Sequence, residues 1–88
     1  MKPYFCYILR CGDGTLYTGI TNDPERRLKV HQSGKGGHYT ASHLPVEMVY
    51  LEESGEKGDA LRRELELKKL TREQKIALIQ KREEESEK

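Results

Sequence analysis

Apolar and polar residues alternate along this chain in blocks of two different periods. Residues 4–10, Tyr-Phe-Cys-Tyr-Ile-Leu-Arg, are aromatic or branched on both alternating faces, the pattern of a central strand covered on two sides. Gly12-Asp13-Gly14 is a turn signal, and residues 15–20 read as the returning strand of a hairpin. A three-residue loop with Gly14 in the left-handed conformation is a common connection. Its parity matters: an odd loop puts Tyr7 and Tyr17 on one face of the sheet, an even loop on opposite faces. The odd loop and the shared face are the expectation.

Asn22-Asp23-Pro24-Glu25 is a helix start, with Asn22 or Asp23 as cap, Pro24 in the first turn and Glu25 at the positive end of the dipole. The helix, expected over about 23–33, stops at Gly34 and carries Arg27 and His31 four apart on one side. Residues 35–44 are glycine-rich and read as a mobile loop ended by Pro45. Residues 46–51 read as a third strand, 52–58 as a polar turn and 59–70 as a helix. Thr71 and Gln74 resemble a capping box, opening a last helix over 72–80 with Ile76, Leu78 and Ile79 inward. Residues 81–88 are almost all charged, so a frayed tail is expected after a single domain over 1–80. The predicted fold is α/β (α+β): a small three-stranded antiparallel sheet flanked by three helices.

With 88 residues the chain holds one small core, which excludes a two-domain enzyme or a complete dinucleotide-binding fold. No apolar run is long enough to span a membrane, and no secretory signal is visible. Cys6 and Cys11 are too few for a disulfide scaffold, so a reduced, cytoplasmic protein is expected. The net charge of +1 conceals an uneven distribution. Residues 26–43 contain Arg26, Arg27, Lys29, Lys35 and all three histidines, His31, His38 and His43, with no Asp or Glu. Such a patch suits a polyanion; the alternative is a solvated face charged by chance.

One carboxylate stands out. On the helix at 59–70 the apolar arc is set by Leu67, Ala60, Leu61 and Leu65, and Glu64 falls between Ala60 and Leu61. A carboxylate on a core-facing side is costly unless it is paired or holds a metal. It can pair with Lys68, four residues on and within the same arc, or face a cleft and hold a divalent cation.

The hairpin, the Arg-His helix and the inward Glu together resemble the GIY-YIG nuclease domain, its short stand-alone branch most of all. The two name motifs read here as Phe5-Cys6-Tyr7 and Tyr17-Thr18-Gly19, the Arg-His motif as Arg27 and His31, and the metal-binding Glu as Glu64. Gly-Ile of the first motif is replaced by Phe-Cys, and no Asn follows Asn22, where many family nucleases carry a late one. The resemblance covers about residues 4–70. It implies hydrolysis of phosphodiesters in DNA, with branched or single-strand-containing DNA as partner, and a place in DNA repair. It implies one divalent cation, Mg²⁺ or Mn²⁺, on Glu64. Arg27 would clamp phosphate. A tyrosine would activate water, Tyr7 first and Tyr17 second, although only about one ordinary phenol in a thousand is ionised at pH 7. His31 would accept the phenol proton or hydrogen-bond its oxygen. Arg26, Lys29, Lys35 and Lys68 would track the backbone, and His38 or Tyr39 would stack on an unpaired base. The alternatives of the same fold are a nucleic-acid-binding module with little turnover and a domain that needs a protein partner to complete a nuclease.

Overall fold

The computed structural model describes residues 2–86. Three strands, β1 (Tyr4–Arg10), β2 (Leu16–Thr21) and β3 (Glu47–Gly55), pair antiparallel in the order β2-β1-β3. Four helices accompany them: α1 (Pro24–Gln32), α2 (His38–Ser42), α3 (Lys57–Lys68) and α4 (Arg72–Ser86). The α+β class and the antiparallel sheet are as expected; the fourth helix, α2, is additional.

β1 is the central strand, and its two apolar faces build two cores. Tyr7, Leu9 and Cys11 pack with Val46, Tyr17 and Leu28 of α1 on one side. Cys6 packs with Ala60, Leu67 and Leu78, and Ile8 with Tyr50 and Ile79, on the other. The sheet therefore lies between α1 on one face and α3 and α4 on the other. The hairpin loop is odd: Arg10 pairs with Leu16, Cys11 N donates to Thr15 O at 2.9 Å, and Gly14 has φ +86°. Tyr7 is registered with Gly19 and Leu9 with Tyr17, so the two tyrosines share a face.

α1 begins at the cap Asp23, whose side chain accepts from Arg26 N, and ends with Gly34 N bonded to His31 O and Lys35 N to Val30 O. That pair of bonds, with Gly34 at φ +83°, closes the helix as a Schellman motif.

Four expectations need correction. Residues 38–42 are helical and not a mobile loop, because Thr40 is buried and tied to His31. β3 runs four residues beyond 51. The polar Glu52 and Ser54 are tolerated in the strand because the Glu52 carboxylate accepts two bonds from Arg63 of α3 (2.8 and 3.1 Å), one from Tyr50 and one from Ser54. On α3 the inward face is Ala60, Glu64 and Leu67, whereas Leu61, Leu65 and Lys68 are exposed. The arc is rotated from the one the leucines suggest, since the small Ala60 lets the helix approach Cys6, whose thiol donates to Ala60 O. Finally, α4 continues past 80: residues 81–86 are helical, and the rest of the expected frayed tail lies outside the described residues. Its cap is as expected, Thr71 and Gln74 exchanging bonds at 2.9 and 3.1 Å. Among the described residues, no helix is long and apolar enough to cross a membrane.

Candidate active site

His31 is the hub. It is fully buried, and Tyr7 Oη lies 3.0 Å from its Nε2 while Thr40 Oγ1 lies 2.9 Å from its Nδ1. The rings of Tyr7 and Tyr17 meet the imidazole edge-on, with centroids 5.9 and 5.5 Å away. The shared face set by the hairpin loop is what allows one histidine to touch both phenols. Arg27, one turn before His31 on α1, donates from Nη2 to Gly36 O at 3.2 Å.

Two glycines make the room. A Cβ on Gly19 would stand 2.5 Å from Tyr7 Oη, and one on Gly36 would overlap the His31 ring. The glycine of the Tyr17-Thr18-Gly19 motif is thus the cross-strand platform on which the Tyr7 ring lies.

Burial pushes the Tyr7 phenol above its ordinary range, opposed by the hydrogen bonding and charge of the neighbouring Arg27 and reinforced by Tyr17 and Glu64. Burial, with the Arg27 charge, holds the imidazole of His31 below its ordinary value, so it is neutral at pH 7. Tyr7 is only 1% exposed, whereas Tyr17 is half-buried and keeps a route to solvent.

Glu64 comes from the opposite layer, yet its charge is felt at the Tyr7 phenol. Its side chain is 17% exposed and pairs with Lys68 Nζ at 3.5 Å; Lys68 is itself 53% exposed. The acid is therefore paired but not sealed. Among the described residues, no group of three or more His, Cys, Asp or Glu gathers to hold a metal. The donor set fits a hard cation held by one carboxylate, with water and phosphate oxygens completing the shell, which is how Mg²⁺ is usually bound. It does not fit a site made wholly of protein ligands.

Around these groups Arg26, Lys29, Lys35, His38 and Tyr39 are exposed. Arg26 and Arg27 line an open depression with Lys2 and Asp23. Tyr39 stacks on His43 with centroids 4.2 Å apart and donates to Thr15 Oγ1. Thr40, Gly36 and Gly19 were not among the expected site residues. Gly19 lay inside the Tyr17-Thr18-Gly19 motif without a role of its own until the Tyr7 ring was seen against it, whereas Thr40 and Gly36 carry no pattern that singles them out and only the position of the His31 ring does.

The model of the GIY-YIG catalytic domain family matches residues 3–77 of the chain. A UPF0213 protein of Staphylococcus epidermidis is 48% identical over 80 residues, covering 91% of this chain and 98% of the relative. One from Streptococcus sanguinis is 50% identical over 78 residues, covering 89% and 90%. Among solved structures, the solution NMR structure of a UPF0213 protein from Bacillus halodurans is similar at 43% identity and TM-score 0.56, over 88% of this chain and 82% of that one. The solution NMR structure of a protein from E. faecalis is similar at 40% identity and TM-score 0.62, over 92% and 86%. The designation UPF0213 specifies no activity.

Proposed function

The chain belongs to the GIY-YIG catalytic domain family, and on that footing we propose that it is an endonuclease hydrolysing phosphodiester bonds in branched or single-strand-containing DNA. The family is one of nucleases that act on DNA with a divalent metal. The observation that most supports the reading is the meeting of Tyr7 and Tyr17 around His31, with Arg27 one turn earlier on the same helix.

A phosphodiester anion repels an incoming hydroxide, so its charge must be met first. Arg27 presents a fixed, permanently charged fork that matches phosphate oxygens. Glu64 would hold the Mg²⁺ or Mn²⁺, which when bound polarises a phosphate oxygen and stabilises the leaving 3′ oxygen. Lys68, whose ammonium lies 3.5 Å from the Glu64 carboxylate, would pair with phosphate. Charge is thus met from two sides, commonly the largest catalytic contribution. Tyr17, the half-buried phenol that reaches solvent, would act as phenolate, its own proton having passed to solvent, and take the proton of the attacking water, while Tyr7 and His31 hold its surroundings rigid. Arg26, Lys29 and Lys35 follow the backbone, and Tyr39 or His38 stacks on an unpaired base. On this reading shape and not sequence selects the substrate.

The test is direct. Flap, fork and linear DNA are incubated with Mg²⁺ or Mn²⁺ and wild type, Glu64→Ala or Arg27→Ala. Cleavage of flap or fork by wild type alone is expected. Binding without cleavage by wild type would favour the second reading, a nucleic-acid-binding module, which draws on the Lys68–Glu64 pair as a purely structural contact. Equal cleavage by Glu64→Ala would point to a contaminating nuclease.

A further inference from the structure

Neutral His31 carries one ring proton, and each ring nitrogen has one partner, Tyr7 Oη at 3.0 Å and Thr40 Oγ1 at 2.9 Å. The position of that proton decides which way every hydrogen bond in the chain Thr40–His31–Tyr7 runs. We propose that Thr40 is a positioning residue that fixes His31 as its Nδ1–H tautomer, so that Nε2 accepts the Tyr7 proton and the Tyr7 oxygen turns its lone pairs to Arg27. The inference rests on the nuclease reading for its consequence in cleavage, but not for the tautomer itself.

Both ends of the chain give the same direction. At the Tyr7 end, the phenol is 1% exposed, so solvent is not available to take its hydrogen. The Arg27 guanidinium, which has donors only, also acts on this phenol. The arrangement favours a Tyr7 that donates to Nε2, which then carries a lone pair. At the Thr40 end, Oγ1 lies 3.5 Å from the carbonyl oxygen of Gly37, the N-cap of α2, three residues back. A threonine in the first turn of a helix can give its hydroxyl hydrogen to such a carbonyl, which would leave the Oγ1 lone pairs to accept from Nδ1–H. The opposite tautomer would aim Nε2–H at Tyr7 and force the phenol hydrogen toward the Arg27 guanidinium, donor against donor.

The same short segment holds the rest in place. The His31 ring lies against the Gly36 backbone, where no Cβ fits, and Gly36 O accepts from Arg27 Nη2. The turn between α1 and α2 thus grips the guanidinium directly through Gly36 and indirectly through Thr40, His31 and Tyr7. Thr40 touches no substrate in this scheme; it acts through His31.

Two-dimensional ¹H–¹⁵N NMR of the histidine ring nitrogens in the intact chain, without DNA or metal, reads the tautomer. In wild type and Thr40→Ser, His31 should show a protonated Nδ1 and an unprotonated Nε2. In Thr40→Val, which keeps the shape and loses the acceptor, Nε2–H should become populated. On flap DNA with Mg²⁺, Thr40→Val should lose roughly 10- to 100-fold in kcat/KM, the scale of a lost orienting partner, and Thr40→Ser should restore it. A protonated Nε2 in wild type overturns the assignment, and so does a Thr40→Val protein that keeps the wild-type tautomer. The expected spectra with no cleavage by any of the proteins would count against the nuclease reading and uphold the tautomer assignment.

Discussion

Replacing Glu64 by Gln separates a structural acid from a metal ligand. Gln keeps the shape and removes the charge. The structural value of that charge follows from its single ion pair. At 3.5 Å in water, two unit charges attract by about 1.2 kcal/mol. Lys68 is 53% exposed and must surrender side-chain freedom to hold the geometry, which brings the net value down to about 0.2–1 kcal/mol. Unfolding an 88-residue domain carries an entropy of roughly 0.18 kcal/mol per degree, so a loss of about 0.5 kcal/mol lowers Tm by only about 3 °C. A ligand to the metal is a different matter, since among the described residues no group of three or more His, Cys, Asp or Glu gathers to take its place, and cleavage should fall by at least about 100-fold. The assay is thermal unfolding by circular dichroism beside cleavage of labelled flap DNA, on the same preparation. A Glu64→Gln protein that unfolds more than about 10 °C below wild type would refute the reasoning, because the carboxylate would then be a structural member of the core.

Three other outcomes are expected. Gly19→Ala places a methyl 2.5 Å from Tyr7 Oη and should cost about 1–3 kcal/mol in urea unfolding while shifting the Tyr7 and His31 resonances. His31 is held below its unfolded pKa, so its contribution to stability is present above about pH 6.5 and is lost as pH falls through the lower folded value; that loss should disappear in His31→Gln, with a slope difference of at most about 1.4 kcal/mol per pH unit. Arg63→Met should destabilise by about 1–3 kcal/mol, since it strips two hydrogen bonds from Glu52, and should leave DNA cleavage unchanged in kcat/KM.

The hairpin, its loop parity and the caps of α1 and α4 were legible because their signals are local: a Gly-Asp-Gly turn, an Asp-Pro start, a Thr-Gln box. That locality also made the approach of Tyr7 to Tyr17 predictable. The failures are all tertiary. Glu52 and Ser54 look like turn residues until Arg63 arrives from another helix to satisfy them. Leu61 and Leu65 look like core until Ala60 sets which side of α3 can approach the sheet. The glycine-rich stretch looks mobile because the partner that orders Thr40 is a histidine nine residues earlier. Of the candidate site, Arg27 and His31 could be paired by helical spacing, but the difference in exposure between the two tyrosines depends on how α1 covers the sheet.

Each of the groups that meet at His31 is delivered by a different piece of the chain: β1, β2, α1 and α2, with α3 adding its acid from behind. Peeling away any one of these pieces, even briefly, dismantles the whole constellation. On the reading proposed above, a half-melted copy would lose the geometry on which cutting depends even if its basic surface survived.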